Sequence, residues 1–162
     1  MRRPMLGFFR SLPVTDPELG VLSRSRGKWR GQLALEGGSV PLAIAGARDA
    51  PDPDALALAR ELPASWSRHR QALAQALMEH YAPYQEAVAA GETEPPPYPL
   101  PVVAQPSDVW PFVTLLSACV APIGRRLMAE VALAATWDVE HTLGAQFDAA
   151  SFVDLNGSIL QR

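Results

Sequence analysis

The densest group of chemically capable side chains lies late in the sequence, at positions 137–144. Asp138, Glu140 and His141 fall there within four consecutive positions. Carboxylate oxygens and imidazole nitrogens are ligands for Mg²⁺, Mn²⁺ or Zn²⁺, and the same groups transfer protons in acid–base catalysis. These three residues are therefore the candidate functional site of the chain.

Three interpretations of this segment are open from the sequence. It is a tight hairpin turn, in which Asp138 accepts backbone N–H bonds and Gly144 takes a conformation that other residues avoid. Alternatively, its polar side chains form a surface that contacts a partner protein. In the third interpretation they serve an enzyme, together with a more distant His80 or Glu130. Trp137 is expected in the core in all three.

The remaining histidines and the single cysteine argue against a metal centre. His69 and His80 fall on one predicted helix about 16 Å apart along its axis, so they cannot share an ion. Cys119 is the only cysteine, which excludes a thiolate-rich zinc site and an intramolecular disulfide framework. It lies in the apolar run 113–120, which predicts a buried core residue. No metal and no cofactor are predicted.

Composition excludes several classes of protein. The 162 residues carry a net charge of −3, and the basic residues form no cluster of the kind that binds nucleic acid. No stretch approaches the roughly 20 apolar residues of a membrane span. The apolar run within the first ten residues is shorter than the roughly 7–15 residues of a secretory signal. A cytoplasmic protein is expected, and its richness in Arg and Ala is typical of bacterial chains.

The elements that must position the site form an α+β pattern. Alternating apolar residues predict an N-terminal β-hairpin around Gly37 and Gly38, and three- and four-residue spacing predicts a two-helix middle. A C-terminal antiparallel meander is expected to follow, with the helices packed on one face of the sheet. The predicted bounds are 28–36 and 40–44 for the hairpin, 55–62 and 64–90 for the helices, and 127–137, about 145–148 and 151–159 for the late strands. The acidic turn at 49–54 includes an N-cap signal for the first helix. Residues 127–137 also fit a helix, and a strand is favoured because a hairpin pattern follows them.

The prolines bear on domain organisation and on strand placement. Residues 91–106 form a Pro-rich connector, and we expect one domain over 1–162 with a loose N-terminal arm at 1–14. Pro63 is expected to separate the two helices, and Pro83 to kink the second. Pro41 predicts that its strand lies at a sheet edge or faces an open side there.

Several segments resemble a family of small uncharacterised bacterial domains. They are D-P-E-L-G-V-L at 16–22, W-R-G at 29–31, V-P-L-A-I at 40–44, D-V-W at 108–110 and W-D-V-E-H-T-L-G at 137–144. The family pairs an early G-x-L…W-x-G hairpin with a late W-D-x-E-H-x-L-G turn, and the resemblance covers roughly 15–159. It implies no enzymatic activity. Some members resemble immunity proteins of polymorphic toxins, which implies a role in binding and neutralising a partner. Thr142 departs from the glycine more usual at that position.

The residues and the resemblance together favour a non-enzymatic protein-binding module with an immunity-like role. Its partner is expected to contact the surface around Asp138, Glu140 and His141, or the acidic turn at 49–54. An acidic surface suits a basic, toxin-like partner because complementary charge speeds encounter. The alternative is a metal-assisted or acid–base enzyme that uses the same three residues.

Overall fold

The computed structural model describes residues 11–160, and within them the chain forms one eight-stranded sheet covered by helices. The strands are β1 Val14–Asp16, β2 Gly20–Ser25, β3 Lys28–Leu35, β4 Gly38–Ile44, β5 Val113–Ile123, β6 Arg126–Ala135, β7 Asp138–Asp148 and β8 Ser151–Gly157. The helices are α1 Pro53–Arg68 and α2 Arg70–Ala89, followed by a 3₁₀ helix, Pro106–Phe112. The predicted α+β class is confirmed, with an early hairpin, a helical middle and a late antiparallel meander.

Strand order follows the sequence from β1 to β8, and each neighbouring pair is antiparallel except β4 and β5. Those two strands are parallel because the chain leaves the sheet after β4 and returns through both α-helices and the 3₁₀ helix. A parallel pair requires such a crossover. Pro41 lies just outside the parallel ladder, which begins at Leu42, so the proline does face an open side of its strand as predicted.

The helices pack against the face of the sheet that carries the alternating large apolar residues. Trp29, Leu33, Leu42 and Phe147 are each at most 2% exposed on that face. Trp66 of α1 is fully buried against them, and its indole N–H donates to the Glu36 carbonyl at 3.0 Å. Burying each such side chain contributes about 1.5–3 kcal/mol, so this layer is the main source of stability.

The predicted break between the helices at Pro63 is wrong. Pro63 lies inside α1, and the break falls at His69, which caps both helices. Leu62 and Trp66, on either side of the proline, are fully buried. Their burial outweighs the single helical hydrogen bond that a proline removes. His69 therefore does not share one continuous helix with His80.

The start of the first helix follows its sequence signal closely. The Asp52 side chain accepts a hydrogen bond from the Ala55 backbone N–H at 2.9 Å, and Pro53 occupies the first turn. An aspartate cap satisfies one of the amide groups that a helix start leaves without a partner. At least this aspartate of the acidic turn at 49–54 thus has a structural role.

The predicted turn at 138–144 is also wrong in its position. The turn occupies Thr136 and Trp137, and β7 begins at Asp138, which pairs with Ala135. Gly144 lies within β7 opposite Ala132 and has no positive φ. A glycine is required here because the surrounding atoms leave no room for a side chain. A Cβ at this position would lie 2.7 Å from the Glu130 carboxyl group.

Two further predictions concern the N-terminal arm and the Pro-rich connector. The first ten residues of the expected arm at 1–14 lie outside the described residues, and Val14 already belongs to β1. The Pro-rich connector contains no helix or strand from Gly91 to Gln105, and its last residue, Pro106, begins the 3₁₀ helix. Cys119 and Trp137 are buried in the core as expected.

Candidate functional site

The candidate site is organised by Asp138, the first residue of β7, which is 6% exposed. Its Oδ1 accepts hydrogen bonds from the backbone N–H of His141 at 3.2 Å and lies 2.8 Å from Nδ1 of the same residue. Its Oδ2 accepts a hydrogen bond from the hydroxyl of Tyr84 at 2.8 Å. Both oxygens are therefore committed to partners inside the protein.

Helix α2 brings a second imidazole to this carboxylate. The indole N–H of Trp137 donates to Nδ1 of His80 at 3.0 Å, which leaves the proton of the neutral ring on Nε2. That Nε2 lies 3.8 Å from Oδ2 of Asp138. His80, one of the two distant partners considered above, does approach this segment. It lies one helical turn before Tyr84, which itself contacts Asp138.

The protonation states follow from burial and hydrogen bonding. Burial and the hydrogen bond to Asp138 raise the pKa of Tyr84 to about 12, so its hydroxyl stays protonated and donates. Burial acts to raise the pKa of Asp138, but the hydrogen bonds from Tyr84 and His141 outweigh it and hold this pKa below its usual value. Burial lowers the pKa of His80, against the attraction of Asp138. Near neutral pH the site thus holds a carboxylate and an uncharged His80.

The two other predicted site residues face outward. Glu140 is exposed, and the His141 side chain is 67% exposed. With Nδ1 of His141 donating to the Asp138 carboxylate, its Nε2 is the nitrogen directed away from that contact. The predicted trio therefore divides into one organising carboxylate, Asp138, and two residues that are accessible to a ligand.

These side chains line a groove of about 580 Å³. One wall is the C-terminal half of α2, another is the Pro-rich connector, and the third is the start of β7. The connector is fixed in place because the Tyr98 hydroxyl donates to the Thr136 carbonyl at 2.9 Å. The apolar part of the lining consists of Pro83, Ala87, Val88, Pro96, Leu100, Trp137 and Val139, together with the rings of Tyr84 and Tyr98.

The charges of the groove have one sign. Glu94, Asp138 and Glu140 line it, and no Arg or Lys of the described residues 11–160 does so. Glu94 and Glu140 are exposed. At neutral pH the groove therefore offers an apolar surface with carboxylates that solvent and ligands can reach.

A metal centre gains no support from this geometry. Within residues 11–160, no three His, Cys, Asp or Glu side chains converge closely enough to hold an ion. Glu130, considered above as a distant partner, points to the opposite face of the sheet, where it accepts hydrogen bonds from residues 158–160. The predicted convergence of Glu130 with the site is therefore wrong.

Sequence reasoning selected the residues around which the candidate site is built, but it did not identify most of the groove's walls. Asp138 and His141 are three residues apart, so their contact was within reach of local spacing. Tyr84 lies in the predicted helix 64–90, and Glu94 and Tyr98 lie in the predicted Pro-rich connector, so none of the three is predicted at the site. The available signal was the hydroxyl of Tyr84, because a buried tyrosine usually needs a hydrogen-bond partner.

The comparisons with known proteins give a family. A family model described as Domain of unknown function (DUF6985) matches residues 19–157. No curated protein and no solved structure matches the chain. Across residues 11–160, neither α-helix combines the length and hydropathy required to cross a lipid bilayer.

Proposed function

The chain belongs to the family described as Domain of unknown function (DUF6985), and we propose that it acts as a non-enzymatic protein-binding module. Its partner contacts the groove through Glu140 and through His141, whose imidazole Asp138 holds in position. The observation that carries the proposal is the composition of the groove: an apolar lining with accessible carboxylates and, within residues 11–160, no Arg or Lys.

The partner segment we propose is basic and partly apolar. A Lys or Arg side chain complements Glu94 and Glu140, and its hydrocarbon stem packs against apolar lining such as Val139 and Pro96. Val139 is 78% exposed, which leaves a large apolar side chain uncovered at the edge of the groove. An aliphatic residue beside the basic one in the partner would cover it.

Binding is favoured over catalysis by the state of the polar groups. Of the two tyrosine hydroxyls of the groove, that of Tyr84 is donated to Asp138, and that of Tyr98 is donated to a backbone carbonyl. Both tyrosine hydroxyls are therefore engaged elsewhere and are not paired with His141 as a nucleophile is with its base. The exposure of His141 also deprives it of the water-excluded surroundings in which electrostatic catalysis is strongest.

An immunity-like role is the finer form of this proposal. An inhibitory protein needs a rigid surface, because a preorganised site loses little entropy on binding. The groove meets that requirement through hydrogen bonds that tie α2, the connector and β7 together. A basic toxin domain fits its charge, and neutralisation would follow from covering the toxin surface.

Charge reversal tests the proposal directly. A tagged chain is used to capture proteins from native lysate of its source, and each captured protein is purified for direct binding measurements. We expect Glu140→Lys to abolish binding, and Glu79→Lys, an equal charge change at an exposed position of α2 outside the groove, to leave it intact. The affinity of the wild-type complex is expected to fall with rising salt.

The proposal is rejected if Glu140→Lys and Glu79→Lys bind every partner equally well. Circular dichroism and urea unfolding of both variants establish that the fold is retained. The triple variant Asp138→Ala, Glu140→Ala, His141→Ala is the second measurement. If this variant is folded and keeps every partner, the assignment of the site is wrong.

One observation favours a second candidate, an acid–base enzyme. The 2.8 Å contact between Asp138 and Nδ1 of His141 fixes the imidazole as a carboxylate does in general-base catalysis. A bound small substrate would then be deprotonated by Nε2. A turnover that is lost in His141→Ala and varies with pH would support this candidate over the binding module.

A further inference from the structure

The face of the sheet opposite the helices carries a buried carboxylate that the groove does not use. Glu130 of β6 is fully buried, and its two oxygens accept three hydrogen bonds from residues 158–160. The donors are the Ser158 hydroxyl at 2.6 Å and the backbone N–H groups of Ile159 at 3.0 Å and Leu160 at 3.1 Å. We call residues 158–160 the C-terminal strap.

The strap crosses the sheet and covers Cys119. The Leu160 side chain packs on a small cluster formed by Ala43, Cys119 and Ala121. Lys28 extends to the same place, where its Nζ donates to the Leu160 carbonyl and to Sγ of Cys119, both at 3.3 Å. The cysteine is 1% exposed, and burial raises the pKa of its thiol against the opposing effect of Lys28.

The contacts of the strap are few and local. Among residues 11–160, it is attached through one backbone hydrogen bond, from the Ser158 N–H to the Thr142 carbonyl, and through Glu130, Lys28 and the packing of Leu160. Detaching Ile159 and Leu160 leaves the pairing of β7 with β8 and the whole helix-facing core unchanged. Water that enters also hydrates the Glu130 carboxylate, so opening leaves no buried charge without a partner.

We propose that residues 158–160 form a releasable strap, held by Glu130, whose opening exposes the Cys119 thiol while the rest of the fold stays intact. Closed, the strap keeps the thiol protonated and shielded. Open, the thiol is hydrated beside the Lys28 ammonium group, which favours the reactive thiolate. The strap is thus a conformational switch on the face of the sheet away from the groove, independent of the proposed binding function.

Because Cys119 is the only cysteine, an aromatic disulfide reagent labels this residue alone. The thiolate attacks the reagent's disulfide, forms one mixed disulfide and releases one coloured aryl thiolate per chain. Labelling is followed in increasing, sub-denaturing urea. Opening of the strap exposes little surface, so the rate of labelling through this opening is expected to change little with urea. Labelling through global unfolding depends on urea steeply.

Two neighbouring residues provide a matched pair of variants. Leu160→Ala removes packing over Cys119, and we expect labelling to become about fivefold to tenfold faster. Ile159→Ala shortens an outward-facing side chain that is 43% exposed, and its rate should remain within about twofold of the wild type. Ser158→Ala removes one donor to Glu130 and is expected to accelerate labelling in the same direction as Leu160→Ala.

The proposal is overturned if labelling at every urea concentration follows the steep dependence of global unfolding. It is equally overturned if Leu160→Ala reacts no faster than Ile159→Ala, or if the wild-type thiol reacts at the rate of a small free thiol. Urea unfolding of each variant separates a local effect from a loss of overall stability, and Ser158→Ala provides the milder change if Leu160→Ala unfolds.

Discussion

Tyr84 and Asp138 are 54 positions apart in the sequence, yet the hydroxyl of one donates to the carboxylate of the other at 2.8 Å. This hydrogen bond joins the C-terminal half of α2 to the first residue of β7, and it forms the base of the acidic groove. The orientation of His141 in the groove depends on that junction, since Asp138 in turn contacts the His141 imidazole.

Tyr84→Phe tests the strength of this junction. The variant keeps the ring but removes the donor, and a hydrogen bond to a charged acceptor contributes about 1.5–3 kcal/mol. We expect the free energy of unfolding in urea to fall by about that amount. Tyr98→Phe is the control, because its exposed hydroxyl donates to a neutral carbonyl and should cost less than about 1 kcal/mol. Equal losses in the two variants would contradict the role given to Asp138.

His80 predicts a dependence of stability on pH. Its pKa is lowered below the usual value of 6.5 in the folded protein, so the unfolded chain takes up the proton first. Stability is therefore present above pH 6.5 and is lost as the pH falls from there through the folded pKa. In His80→Asn, whose side-chain oxygen can still accept from Trp137, we expect a smaller loss between pH 7 and pH 5.

The control for this effect is the wild-type chain, measured beside the variant. A His80→Asn profile that coincides with the wild-type profile would show that the His80 imidazole does not govern the pH dependence of stability. Urea unfolding at several pH values provides the measurement.

Asp16 governs the pH dependence of stability in a second, more acidic range. Its hydrogen bond with Arg60 and those from two backbone N–H groups lower its pKa from 3.8 to about 2, although burial acts in the opposite direction. Its contribution is present above pH 3.8 and is lost as the pH falls towards 2. Asp16→Asn should lose about 1–2 kcal/mol at neutral pH and show a flatter acid profile. An Asp16→Asn profile that falls as steeply below pH 3.8 as that of the wild type would contradict this role of Asp16.

Gly144 predicts a steric effect rather than a conformational one. In Gly144→Ala, the added Cβ would lie 2.7 Å from the Glu130 carboxyl group and 3.0 Å from the Ser158 Cα. We expect a loss of about 1–3 kcal/mol in urea or thermal unfolding. Gly157→Ala is the control, since nothing lies within 4 Å of its added Cβ. A loss of similar size at both glycines would contradict the steric explanation.

The sequence alone determined the fold class, the early hairpin, the capped start of the first helix and the buried character of Cys119 and Trp137. These features depend on local periodicity and on single residues whose preferences act over a few positions. Asp138, Glu140 and His141 could be selected as a cluster for the same reason, because they are neighbours in the chain.

Only the tertiary structure decided where those residues lie and which side chains they contact. Whether Asp138 belongs to a turn or a strand depended on its pairing with Ala135, and its commitment to Tyr84 depended on where α2 ends. The continuation of α1 through Pro63 and the need for glycine at position 144 were likewise set by burial and space. Contacts between distant segments form when the helices pack on the sheet, and a local pattern contains no record of which segments that packing brings together.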